Sequence, residues 1–220
     1  MSEQSIKEEI CEAGRRMYQN GFVAANGGNI SARIDEDVYI ISPTGVSKND
    51  LTPESLVKIN GRCEVIEGGG KPSSESKVHI YCYNNRPDVM SVCHSHAPHA
   101  VAMASMKIKM DKYFLPEQVG SLGAVPRCEY AAAGTHEVAE SMAPYIKKHS
   151  ALLLGNHGPV TMGDSVMQAY FRMETLEHVA HVYFITTMLG GMVEFTPEQE
   201  DVIFKKIEAS GRIHPGNIKL

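Results

Sequence analysis

The chain has 220 residues, 43 % of them apolar and 21 % charged, proportions that exclude disordered, collagen-like and coiled-coil classes and allow one undivided core. A formal charge of -5 leaves no basic surplus to displace counterions from a nucleic acid. The acidic start MSEQSIKEEI is neither secretory signal nor transit peptide, no apolar run approaches membrane-spanning length, and five cysteines without a C-x-x-C pair read as reduced thiols, so a cytoplasmic protein of one domain, residues 1–220, is expected.

Ser5 with Glu8 three residues on fits a capping box, and Ile6, Ile10, Ala13 and Met17 carry helical spacing, so a helix is predicted over 5–19, ending at Asn20-Gly21. Three β-type stretches follow, NGGNISAR, VYIISPTG and LVKINGRCEVIEG, and Asn60-Gly61 inside the last signals a two-residue hairpin turn. Short helices over 74–84 and 97–106 are expected to flank a buried strand over 89–94. Next come a helix over 135–148 that Pro144 kinks or ends, strands over 151–154 and 160–162, and a long helix over 165–189. Thr196 as cap, Pro197 at the first position and Gln199 three on from the cap open a last helix. Strands and helices mix without strict βαβ alternation. The expected fold is therefore α/β, with a central, mainly antiparallel sheet covered by helices on both faces.

The segment VMSVCHSHAPH sets His94 and His96 two residues apart at the end of a β-prone run, where both rings point to one face and can reach one ion. His157, in LLLGNHGPV, lies between a buried strand and a Gly-Pro turn and supplies a third imidazole; Gly155 and Gly158 would let backbone approach closely. Three histidines with one open position suit zinc, although an imidazole site accepts other divalent ions. His178 and His181 share a helix face without further ligands nearby and read, like His79 and His136, as structural or supporting; His99, one turn beyond His96, is a candidate to support a ligand through a hydrogen bond.

Three turns expose amides or hydroxyls suited to an anion: Gly27-Gly28-Asn29, Ser42-Pro43-Thr44-Gly45, and the helix start at Ser73-Ser74. Only Lys48 and Lys71 lie close to them in sequence, so a phosphate is expected to be held by neutral donors. Glu75 follows the serines directly and could sit between phosphate and metal, where proton transfer next to a carbonyl needs a base.

GGNIS, SPTG, KPSSE, HSHAPH and GNHGP, in this order and spacing, resemble the class II aldolase/adducin family, most closely its L-fuculose-phosphate aldolase group, from about Glu8 to the final helix. The resemblance implies zinc on His94, His96 and His157, with Glu75 both catalytic and a ligand of the resting metal. It also implies substrate-phosphate contacts at Gly28, Asn29, Thr44, Gly45, Ser73 and Ser74, and a homotetramer with active sites at subunit boundaries. The implied reaction is zinc-dependent cleavage of a ketose 1-phosphate to dihydroxyacetone phosphate and an aldehyde; the alternative is a sugar-phosphate 4-epimerase, dehydratase or decarboxylase using the same zinc-stabilised enediolate. Related epimerases carry Asp where this chain has Glu75, which favours the aldolase branch. The family's proton-donating tyrosine, which comes from a neighbouring subunit, aligns with Tyr113 or, with a shifted gap, Leu115; Glu117 is a further candidate for substrate contact. The adducin-type interaction module shares the fold but lacks the metal histidines that this chain retains.

Overall fold

The computed structural model describes residues 2–106 and 112–211. Helix α1 (Glu3–Gln19) begins two residues before the predicted start, because the Ser2 side chain, rather than that of Ser5, accepts the Ser5 amide and caps it. Strands β1 (Asn29–Asp35) and β2 (Val38–Ile41) form a hairpin; β3 (Val57–Ile59) and β4 (Val65–Glu67) form another. This second turn is not the two-residue type that Asn60-Gly61 suggests. It runs from Asn60 to Glu64, closed by Asn60 N donating to the Glu64 carbonyl at 3.0 Å, and Cys63 takes the positive φ of 62°. Gly61 instead donates its amide to Asp37 Oδ1 at 2.8 Å.

Helix α2 (Ser76–Asn85), strand β5 (Ser91–His94) and helix α3 (Pro98–Ser105) follow as expected. Four short elements have no counterpart in the sequence reading: single 3-10 turns over Lys48–Asp50 and Pro53–Ser55, a π-helical turn over Gln118–Leu122, and strand β6 (Arg127–Tyr130), which has two exposed residues and no clean alternation. Helix α4 is short (His136–Ser141), and the chain continues in turns past Pro144. Strands β7 (Ala151–Gly155) and β8 (Gly158–Gly163) lead into the long helix α5 (Val166–Met188), and α6 (Pro197–Ala209) starts at the expected Thr196–Gln199 capping box.

The eight described strands join in one sheet of order β4-β3-β2-β1-β5-β8-β7-β6, antiparallel except for the β6–β7 pair. One face is covered by α1, α3 and α5, which pack Ile10, Met17, Ala100, Met103, Met173 and Leu176 into a core with Ile30, Ile40 and Leu153. The other is covered by α2 and α4, with Val78, Ile80, Val138 and Met142 against Ile41, Val92 and Leu154. Alternating side chains of the same strands therefore feed two cores, as a period of two requires. No described helix is long and apolar enough to cross a membrane.

The centre of the sheet brings the functional motifs together. Asn29 of β1 pairs with His94 of β5, which pairs with Val160 of β8, so the GGNIS, HSHAPH and GNHGP motifs meet at one end of three adjacent strands. The β7–β8 turn is tight: a Cβ on Gly158 would collide with the Ser95 carbonyl, and Asn156 adopts φ 54°. Gly158→Ala is expected to cost about 1–3 kcal/mol of overpacking in denaturant unfolding. Gly69→Ala, where a Cβ meets nothing within 4 Å, serves as the control and should leave stability level or slightly raised; equal behaviour of the two variants would mean that close packing does not hold this turn.

Candidate metal centre and active site

His94 is buried at the end of β5, His96 follows it on the outgoing loop, and His157 rises from the β7–β8 turn. The rings approach with centroids 5.1 Å (His94–His96), 4.7 Å (His94–His157) and 5.3 Å (His96–His157) apart. One ring nitrogen from each lies within 4.8 Å of the other two, a spacing that could hold a metal ion. Backbone contacts set these rings. His94 Nδ1 donates to the Pro159 carbonyl at 2.9 Å, which leaves Nε2 as the atom facing the site, and the His96 amide donates to the Phe22 carbonyl at 3.0 Å. His94 Nε2 is buried without a hydrogen bond, the condition of an atom that awaits a Lewis acid rather than a proton donor. The donor set therefore fits a divalent ion.

Glu75 caps α2 and reaches this cluster, with Oε2 3.2 Å from His94 Nε2 and Oε1 3.1 Å from His157 Nε2. Burial pushes its carboxyl upward, but His94, His157 and the Asn29 amide together outweigh that and hold it well below the usual carboxylate range. Burial also lowers the imidazoles of His94 and His96. An ionised carboxylate beside neutral imidazoles is the protonation state that metal binding needs.

A cavity of about 370 Å³ opens over the cluster. Glu75, His96 and His157 line one side, and Gly28, Asn29, Thr44, Gly45, Ser73 and Ser74 line the other, so all nine come to one place, with His94 buried behind them. The turns are joined: Thr44 N donates to the Lys71 carbonyl at 2.9 Å, and Pro43 and Pro72 form an isolated bridge. Gly28 needs its φ of 70°, and a Cβ there would lie 2.9 Å from the His94 carbonyl. Ala133 and Gly134, from the loop after β6, complete the wall. The run Ala131-Ala132-Ala133-Gly134 is their only signal in the sequence.

Several side chains take places other than those expected. Asn29 lines the cavity and is also engaged by its neighbours: Nδ2 donates to Glu75 Oε2 at 2.7 Å and Oδ1 lies 2.5 Å from His79 Nε2. Lys48 is 1 % exposed and donates to the carbonyls of Asn26 at 3.2 Å and Val46 at 2.7 Å, so it ties two of the anion turns together, and burial pulls its ammonium down to about 8. Tyr113 is buried edge-on to Phe204 at 5.9 Å, Leu115 packs on the core, and Glu117 is exposed and does not line the cavity. His99 does not support the metal histidines but pairs with Glu177 at 2.7 Å and stacks on His181 at 4.0 Å; His178 lines the same separate cavity. His136 lies 3.3 Å from Lys77. His79, by contrast, is buried directly behind Asn29.

This sheet and three-histidine centre define an α/β metal-site scaffold of the class II aldolase type. Residues 8–184 match the model of the class II aldolase and adducin N-terminal domain, and the chain belongs to that family. It is 30 % identical over 211 residues to the 5-deoxy-D-ribulose 1-phosphate aldolase of Bacillus thuringiensis serovar kurstaki, covering 95 % of this chain and 98 % of that one. It is 32 % identical over 187 residues to the 3-oxo-tetronate 4-phosphate decarboxylase of Escherichia coli K12, covering 83 % and 88 %. The fold matches a solved L-fuculose 1-phosphate aldolase with a TM-score of 0.85 at 24 % identity, over 94 % of this chain and 98 % of that one.

Burial lowers the His79 imidazole from 6.5 to about 3. Between those values the unfolded chain binds the proton and the folded chain does not, so stability must fall as pH falls through this window. In metal-free protein His79 alone should contribute a slope of about 1.4 kcal/mol per pH unit. Denaturant unfolding from pH 6.5 to 3 should show a shallower loss in His79→Gln; parallel curves would contradict a neutral, buried His79.

Proposed function

We propose that this protein is a zinc-dependent lyase that cleaves a ketose 1-phosphate to dihydroxyacetone phosphate and an aldehyde. The observation that carries the reading is the place of Glu75, whose two oxygens touch two of the three metal-site histidines while its helix start opens on the anion turns. His94, His96 and His157 would hold the ion, and Glu75 would join them in the resting enzyme. When bound, the ion supplies Lewis-acid polarisation of the substrate carbonyl and charge stabilisation of several kcal/mol.

The chain's own residues perform the rest. Thr44, Gly45, Ser73, Ser74 and the Gly28 turn bind the phosphate through neutral donors, which sets the reacting carbons over the histidines. In cleavage the hydroxyl that becomes the aldehyde gives up its proton and the carbanion next to the carbonyl gains one; Glu75, ionised at the outset, would take up the first proton, directly or through solvent, and deliver it to that carbon, with the reverse path in the condensation direction. The turn walls and Ala133-Gly134 leave a cavity of about 370 Å³, room for a small sugar phosphate. No lysine Schiff base is needed, and Lys48 is occupied with backbone carbonyls. The wider reading is of one catalytic domain over residues 1–220, cytoplasmic and homotetrameric, with sites at subunit boundaries.

A decarboxylase acting on a 3-oxo sugar-acid phosphate is the second reading, favoured by the identity to the Escherichia coli relative. Loss of carbon dioxide next to a carbonyl leaves the same kind of carbanion, and Glu75 would relay a solvent proton to it.

Two assays separate these outcomes. Metal-loaded protein should release dihydroxyacetone phosphate from at least one of a panel of ketose 1-phosphates, with a far lower kcat/KM for the matched unphosphorylated ketose. Carbon dioxide release from a 3-oxo acid phosphate without ketose cleavage would replace the first reading by the second. Glu75→Gln should lower kcat by about 10²–10⁴ with little change in KM; a variant with normal turnover would assign the base elsewhere.

A further inference from the structure

Glu75, His79 and Tyr83 stand at intervals of four along α2 and so share one face, while Asn29 and Ser31 share one face of β1. Four helical residues rise about 6 Å and two strand residues about 6.6–6.8 Å, so the two rows stay in step. They interdigitate as a continuous hydrogen-bonded line: Tyr83 OH to Ser31 Oγ at 2.6 Å, Ser31 Oγ to His79 Nδ1 at 2.6 Å, His79 Nε2 to Asn29 Oδ1 at 2.5 Å, and Asn29 Nδ2 to Glu75 Oε2 at 2.7 Å. Asn29, Ser31, His79 and Tyr83 are all 3 % exposed or less.

The direction of this line follows from its end. An ionised carboxylate can only accept, so Asn29 must present its amide nitrogen to Glu75 and its carbonyl oxygen to His79. That oxygen can only accept, so His79 must carry its proton on Nε2. The bare Nδ1 then accepts from Ser31, and Ser31, its proton spent, must accept from Tyr83. Each polar atom is satisfied once and every donor points toward Glu75.

Resting on the reading of Glu75 as the base, we infer that His79, held as the Nε2–H tautomer by Ser31 and Tyr83, is a positioning residue that fixes the orientation of the Glu75 carboxylate through Asn29. The line is not a proton wire, because an amide N–H at Asn29 does not release its proton at neutral pH. Its effect is orientation. Turning the Asn29 amide over would break its bond to Glu75 and require the His79 and Ser31 protons to move together, so the carboxylate is held in one orientation. The far end is anchored: Tyr83 stacks on Tyr39 at 4.8 Å, and the Arg33 guanidinium lies 5.0 Å from its ring centre and donates to its backbone carbonyl at 2.6 Å.

Nitrogen-15 NMR of histidine-labelled, metal-loaded protein without substrate reads the tautomer directly, with the His79 signals assigned by their loss in His79→Gln. The expected result is a protonated Nε2 and an unprotonated Nδ1; a protonated Nδ1, alone or with Nε2, overturns the inference. Because no substrate is present, this result stands apart from whether a ketose 1-phosphate is cleaved. Tyr83→Phe, which removes only the terminal donor, should lower kcat about fivefold with KM and metal content unchanged. Unchanged kcat, or a parallel loss of metal, would mean that the line is structural only.

Discussion

A largely buried carboxylate at the floor of an open cavity is the constraint on which this structure turns. Burial of an ionised Glu75 would cost several kcal/mol without compensation. The protein answers with the Asn29 amide, which donates to Oε2 at 2.7 Å, and with imidazoles at 3.1 and 3.2 Å whose nitrogens would hold a cation against the carboxylate. Those partners come from separate parts of the chain, and each is set by backbone geometry. The β1–β5–β8 pairing places Asn29, His94 and the base of the His157 turn, while the start of α2 places Glu75 itself.

The same geometry explains why glycines and small loops crowd this end of the sheet. Gly28 and Gly158 occupy positions where a Cβ would strike the backbone of His94 or Ser95, so the metal-site strand and its two flanking turns are packed backbone to backbone. Lys48 extends this rigidity by joining the Asn26 and Val46 carbonyls beneath the anion turns. The buried lysine carries its own desolvation cost, offset by those two hydrogen bonds. A preformed pocket of this kind limits the reorganisation required when a phosphate arrives.

Much of this site is legible in the residues alone, because the informative signals are local. His94 and His96 lie on one β-run, and Ser73-Ser74-Glu75 lies at one helix start, so period and capping chemistry suffice to group them. The engagement of Asn29 by Glu75 and His79 spans 46 and 50 residues, which no local pattern reports. His79 shows no ligand spacing of its own, and its place becomes intelligible only when the four-residue steps of α2 are laid against the two-residue steps of β1. Alignment brings Tyr113 forward as a proton donor, whereas its burial against Phe204 depends on the docking of α6. The Asn60-Gly61 turn fails for a different reason: Asp37 captures the Gly61 amide, and the reversal moves on to Cys63.

Ketose cleavage and decarboxylation differ in what is lost from the substrate, but both require a carbanion next to a carbonyl to be stabilised at one metal. Both reactions therefore stand on the metal site itself. Anomalous diffraction at the zinc edge from crystals of zinc-loaded protein, compared with crystals of His157→Ala treated alike, tests it most directly. One strong peak per chain is expected among His94, His96 and His157 in the wild type, and a lost or greatly weakened peak in the variant. A wild-type map with no peak there, or a peak of equal strength in His157→Ala, would contradict it.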